Sequence, residues 1–112
     1  MTHIAYLAEI RRLLDCIETS QATTIATAAD VIADALATGH LWHVFGTGHG
    51  HMLAEEVFYR AGGLMAVNAI LDSALMLHDG ALASSNVERL PGYAAVVLSK
   101  HRLEADDVIL IA

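Results

Sequence analysis

Between Gly46 and His51 the chain reads Gly-Thr-Gly-His-Gly-His, a run whose residue types suit an anion. Glycines at Gly46, Gly48 and Gly50 let backbone amides approach a ligand without side-chain obstruction, and Thr47 adds a hydroxyl. A helix that follows at once offers unpaired N–H groups and the positive end of its dipole. Phosphate is the guest such a loop would take, and a tight structural turn is the competing reading. The third glycine of the dinucleotide fingerprint would fall at His51, and no P-loop lysine follows, so the pattern calls for no cofactor.

Four histidines, His40, His43, His49 and His51, crowd the same region. His49 and His51 with a carboxylate such as Glu55 would suit Zn²⁺ or a similar ion. A histidine pair in a loop has no compelling metal geometry without a third ligand, and no metal is assigned. His49 instead joins the loop as a substrate-binding residue, and His51, which titrates near neutral pH, is a candidate proton shuttle. Glu55 and Glu56 lie one turn further on and point about 100° apart, so only one faces the loop. Glu56 is taken as a candidate general base, against an i,i+4 pairing with Arg60. Glu88, after Ser84-Ser85-Asn86, is a second candidate acid or base, against an exposed carboxylate near a helix start.

The elements that must position these groups follow from hydrophobic spacing. Ile4, Leu7, Ile10, Leu14 and Ile17 recur at helical intervals, as do Ile25, Ala29, Ile32 and Leu36. Thr19 and Ser20 are capping residues, and Gly39 suits a left-handed stop, which predicts a helical hairpin over residues 1–39. Cys16 falls in the first stripe and reads as a buried structural thiol. Over 40–112 the texture becomes α/β. Leu41–Phe45 is an apolar run expected of a buried parallel strand. A helix is expected over His51–Ala61, a strand over Leu64–Leu71, a helix over Tyr93–Lys100 and a strand over Val108–Ala112. Residues 72–91 read as irregular. This order predicts a parallel sheet with right-handed crossovers, and ligands of such sheets bind beyond the carboxyl ends of the strands, where the 46–51 loop falls. Three strands alone leave an edge bare, so the chain is expected to be the amino-terminal part of a larger domain or to draw strands from elsewhere.

Composition sets limits on partners. With 112 residues, 55% hydrophobic and 17% charged, the chain is a globular one rather than a disordered one. Six Lys and Arg against 13 Asp and Glu give a net charge of −7, which disfavours nucleic acid and anionic membranes alike. No apolar run approaches the roughly 18 residues of a membrane helix, and Glu9, Arg11 and Arg12 interrupt any signal-peptide core, so a cytoplasmic location is expected.

Three stretches carry a family resemblance: VFGTGHGHMLAEEVFYRAGG over 44–63, SSNVERLPGYA over 84–94 and DDVILIA over 106–112. Together they resemble the sugar isomerase (SIS) domain proteins over nearly the whole chain, and in particular an uncharacterised bacterial subgroup. The resemblance implies a flavodoxin-like parallel sheet with helices on both faces, homo-oligomers, and a phosphorylated sugar as ligand. In that family serines and threonines hold the phosphate, in the loop after the first strand and in a second loop after the third. Thr47, Gly48 and His49 match the first loop, Gly50 stands where serine is common, and the second loop would begin after Ala112. Several members carry a catalytic glutamate ten residues after the loop serine, a position held here by Arg60. Two functions are thereby implied: sugar-phosphate isomerisation or related aldose-ketose chemistry, or phosphosugar sensing without catalysis. A metal-dependent hydrolase built on the histidines is a third reading, and it requires a bound metal.

Overall fold

In a computed structural model, which describes residues 2–112, the chain forms two compact units, one ending at Ala33 and the other spanning Asp34–Ala112. Their elements are α1 (His3–Ala37), β1 (Trp42–Phe45), α2 (Gly50–Val57), β2 (Val67–Ile70), two short 3₁₀ turns (Ser73–Leu75 and Leu77–Asp79), α3 (Ala81–Val87), α4 (Tyr93–Leu98) and β3 (Val108–Ile111).

The expected hairpin is one continuous helix. Thr19 and Ser20 do not cap a second helix. The Thr19 hydroxyl donates to the Asp15 carbonyl at 2.8 Å and the Ser20 hydroxyl to the Cys16 carbonyl at 2.6 Å. Satisfied one turn back, these side chains have no need to break the ladder, and the helix runs on. It ends where Gly39 takes up φ +88°, with the His40 amide returning to the Ala35 carbonyl. The apolar stripe of the first unit is exposed at Ile4, Leu7, Leu14, Ile17 and Ile25. Cys16 is exposed with them, contrary to the buried thiol expected.

The second unit is a three-stranded parallel sheet in the order β2-β1-β3, with Trp42 opposite Val67 and Val108 and Phe45 opposite Ile70 and Ile111. Alternation along β1 divides the core. Trp42 and Val44 pack with Val67, Ala69, Leu110 and the α2 residues Ala54 and Val57 on one face. Phe45 packs with Ile70, Leu75, Val97 and Leu98 on the other, beneath α4. Val44 and Ile70 lose all solvent contact, and full burial of such side chains stabilises by about 1.5–3 kcal/mol each.

His43, 1% exposed, breaks the apolar run without penalty because both ring nitrogens are satisfied. Its Nε2 lies 2.9 Å from Asp107 Oδ2 and its Nδ1 2.9 Å from Asn68 Nδ2, which also reaches His101 Nδ1 at 3.3 Å. Asp107 accepts further from the Leu41 and Glu104 amides. These donors, Leu41 first and His43 next, hold the Asp107 carboxyl far below the usual carboxylate range. The network ties the amino ends of β1 and β2 to the residue that leads into β3.

Residues 72–91 are more ordered than their composition suggested. Asp72 caps the first 3₁₀ turn by accepting the Ala74 amide, and a seven-residue helix, α3, follows Gly80. Ala81–Val87 lacks the apolar periodicity that marks a helix, which is why it escaped sequence reading.

Candidate functional site

The 46–51 loop leaves β1 at the carboxyl edge of the sheet, as the strand order requires. Its shape is set by contacts that only glycine permits. A Cβ on Gly46 would lie 2.4 Å from the carbonyl carbon and oxygen of Gly50, and one on Gly50 would lie 2.9 Å from the Ala112 carbonyl oxygen. Gly48 adopts φ +55°. Gly50 thus admits the close passage of the backbone that follows β3.

Half of the loop's six amides already have partners. Gly48 donates to the Leu75 carbonyl at 2.9 Å, Gly50 to Thr47, His51 to Gly48 and Met52 to His49. The tight start of α2 therefore satisfies donors that the sequence offered to an anion. The amides of Gly46, Thr47 and His49 make no such backbone bond, and those of Thr47 and His49, with the Thr47 hydroxyl, are the donors a ligand could use.

Thr47 faces a cleft of about 150 Å³ lined also by Phe45, Leu75, Glu88, Leu90 and Tyr93. The fold thus brings the loop threonine and Glu88 together, 41 positions apart in sequence. Glu88 sits at the carboxyl end of α3, not near a helix start, with its side chain 30% exposed and 3.9 Å from Arg89 Nη2.

The other two candidate catalytic residues lie elsewhere. Glu56 forms an ion pair with Arg60, and both line a separate depression beside Trp42 and Val67. Those two residues begin their strands, so Glu56 stands toward the amino end of the sheet, away from the loop; α2 starts at the loop and runs back along the sheet by about 1.5 Å per residue, which carries Glu56 off. His51 is 1% exposed. Its Nε2 accepts the Asp72 amide at 3.4 Å, while Nδ1 has no hydrogen-bond partner and lies 3.8 Å from Glu55 Oε2. Buried there, it braces α2 against the end of β2 and does not present a proton to the cleft. His49 is exposed. Among the described residues, no three His, Cys, Asp or Glu side chains converge as metal ligands would.

Sequence reasoning missed three linked groups: Tyr93, which lines the cleft, and Asp72 and Lys100 behind it. Asp72, 6% exposed, accepts the Tyr93 hydroxyl at 2.8 Å and Lys100 Nζ at 2.7 Å, besides the Ala74 amide. The Lys100 ammonium, with help from Tyr93 and Ala74, holds the Asp72 carboxyl below its ordinary range against the opposing effect of burial. Asp72 in turn pushes both Lys100 and Tyr93 up. Asp72 lies in a stretch that reads as irregular in sequence, and its partners are 21 and 28 residues away.

A family model described as "SIS domain" matches residues 5–112. The chain is 45% identical over 107 residues to a UPF0309 protein of Caldanaerobacter subterraneus, covering 95% of this chain and 44% of that protein. It is 39% identical over 107 residues to a UPF0309 protein of Halalkalibacterium halodurans (96% and 43%). With a UPF0309 protein of Brucella ovis the identity is 40% over 113 residues (99% and 47%). The chain spans less than half the length of these relatives. A glycine-built loop at the carboxyl edge of a parallel sheet, and a match over nearly every residue, make this chain a member of the SIS domain family.

Proposed function

We propose that this chain binds a phosphorylated sugar at the carboxyl edge of its sheet, the phosphoryl group against the Thr47 hydroxyl and the Thr47 and His49 amides, and the sugar along the cleft. The observation that carries this reading is the meeting of Thr47 and Glu88 on one cleft beside the glycine loop. Membership of a family named for sugar isomerases supports it. In sugar-phosphate isomerisation or related aldose-ketose chemistry, Glu88 is the group that takes the proton from the carbon beside the carbonyl and returns it to the neighbouring carbon. A matching proton moves between the two oxygens, so substrate and product have the same composition. The protein acts in the cytoplasm as a homo-oligomer, and the exposed apolar stripe of α1 supports the latter.

A second reading, phosphosugar sensing without turnover, is favoured by one feature. Glu88 is the one carboxylate among the cleft residues, and His51 is buried away from them. Thermal unfolding with a panel of sugar phosphates tests both, since a ligand of the native state raises stability by mass action. At least one member of the panel should raise the melting temperature, and Thr47→Val should abolish the rise. Glu88→Gln should keep the rise and lose turnover if the chain is an isomerase, while Glu56→Gln changes neither. No rise with any member refutes the binding site.

A further inference from the structure

The cleft contains a tyrosine whose single proton already has a destination. Tyr93 opens α4 and lines the cleft with Thr47 and Glu88. Its hydroxyl donates to Asp72 Oδ1 at 2.8 Å, and that carboxylate is buried and held by Lys100 Nζ at 2.7 Å and by the Ala74 amide at 3.1 Å. With a cation fixed on its other oxygen, Asp72 stays ionised at neutral pH and accepts only. A phenol carries one proton and two lone pairs, so Tyr93, with that proton committed, has only lone pairs to offer a ligand. A lone pair is no use to a phosphoryl oxygen or a carboxylate, which also only accept. It suits an alcohol O–H. Thr47, beside the open amides of the loop, has the opposite character and can donate.

We propose that Tyr93 is a specificity-determining residue of this cleft, accepting a hydrogen bond from a hydroxyl of the bound sugar phosphate while the Thr47 end holds the phosphoryl group. The assignment rests on the phosphosugar reading of the cleft. It divides the site into a donating end that reads the anion and an accepting end that reads the polyol, with Asp72 and Lys100 as positioning residues that fix the direction of the Tyr93 proton.

Two phosphate esters separate the ends: fructose 6-phosphate, which carries hydroxyls, and propyl phosphate, which carries none. Titration calorimetry on the full chain should show Tyr93→Phe weakening fructose 6-phosphate by about 3- to 10-fold, the effect of one lost neutral hydrogen bond, with propyl phosphate unchanged. Thr47→Val should weaken both esters. Phenylalanine keeps the ring in place, and Asp72 keeps Lys100 and the Ala74 amide, so the variant should fold. Equal weakening of both esters by Tyr93→Phe would make the ring a mere wall, and no weakening of either would remove it from the site; each overturns the proposal while leaving the phosphate reading standing. If the parent chain binds neither ester and no other sugar phosphate of the panel, the phosphosugar reading falls and the role of Tyr93 falls with it.

Discussion

Gly46→Ala is the sharpest probe of the loop. Gly46 has no positive φ, so alanine suits its backbone, and the reduced freedom of the unfolded chain would by itself favour the variant by about 0.4–1 kcal/mol. Against this, the new Cβ would stand 2.4 Å from the Gly50 carbonyl carbon and oxygen, where ordinary contact begins at 3.4 Å. The start of α2 must therefore retreat by about 1 Å, and overpacking of that kind costs about 1–3 kcal/mol. The net expectation is a loss of about 1–2 kcal/mol, or roughly 5–15 °C in melting temperature for a domain of this size. Gly50→Ala, with its Cβ 2.9 Å from the Ala112 carbonyl oxygen, should lose less. Gly62→Ala is the control: φ is +75° with nothing within 4 Å, so it carries left-handed strain alone and should leave ligand binding intact. Thermal unfolding followed by circular dichroism, with and without a sugar phosphate, reads all three. If Gly46→Ala melts at or above the parent temperature, the loop yields freely and the close approach does not hold it.

Two further outcomes are expected. Leu75 is 2% exposed and its carbonyl accepts the Gly48 amide, so Leu75→Ala should cost about 2–5 kcal/mol in urea unfolding and loosen the loop with it; a loss under about 1 kcal/mol would contradict the packing described. Asp72 and Asp107 both lie below the ordinary carboxylate range in the folded chain, so the stability they contribute is present above about pH 4 and is lost as pH falls through their folded values. Urea midpoints should therefore drop steadily below that pH, Asp107→Asn should make the drop shallower, and a profile flat down to about pH 3 would refute the linkage.

What the sequence determined was mostly local. The apolar run at 41–45, the glycine loop after it, the helix behind and the strand at 108–111 were legible because period and turn chemistry are written in adjacent residues. The strand expected over Leu64–Leu71 shortens to Val67–Ile70, and the helix expected over His51–Ala61 stops at Val57, because pairing with β1 and packing on the sheet set the limits rather than propensity. The hairpin became a single helix because Thr19 and Ser20 can either cap or bond back one turn, and local sequence does not choose between these. The site was legible only at its loop. The rise of α2 away from its start carried Glu56 from that loop, burial took His51 out of the cleft, and a seven-residue helix without periodic apolar residues brought Glu88 to Thr47. Asp72, Tyr93 and Lys100 meet only because α4 packs over the end of β2. Hydrogen bonds between residues more than 20 positions apart depend on how the chain folds back, and one-dimensional spacing does not record that.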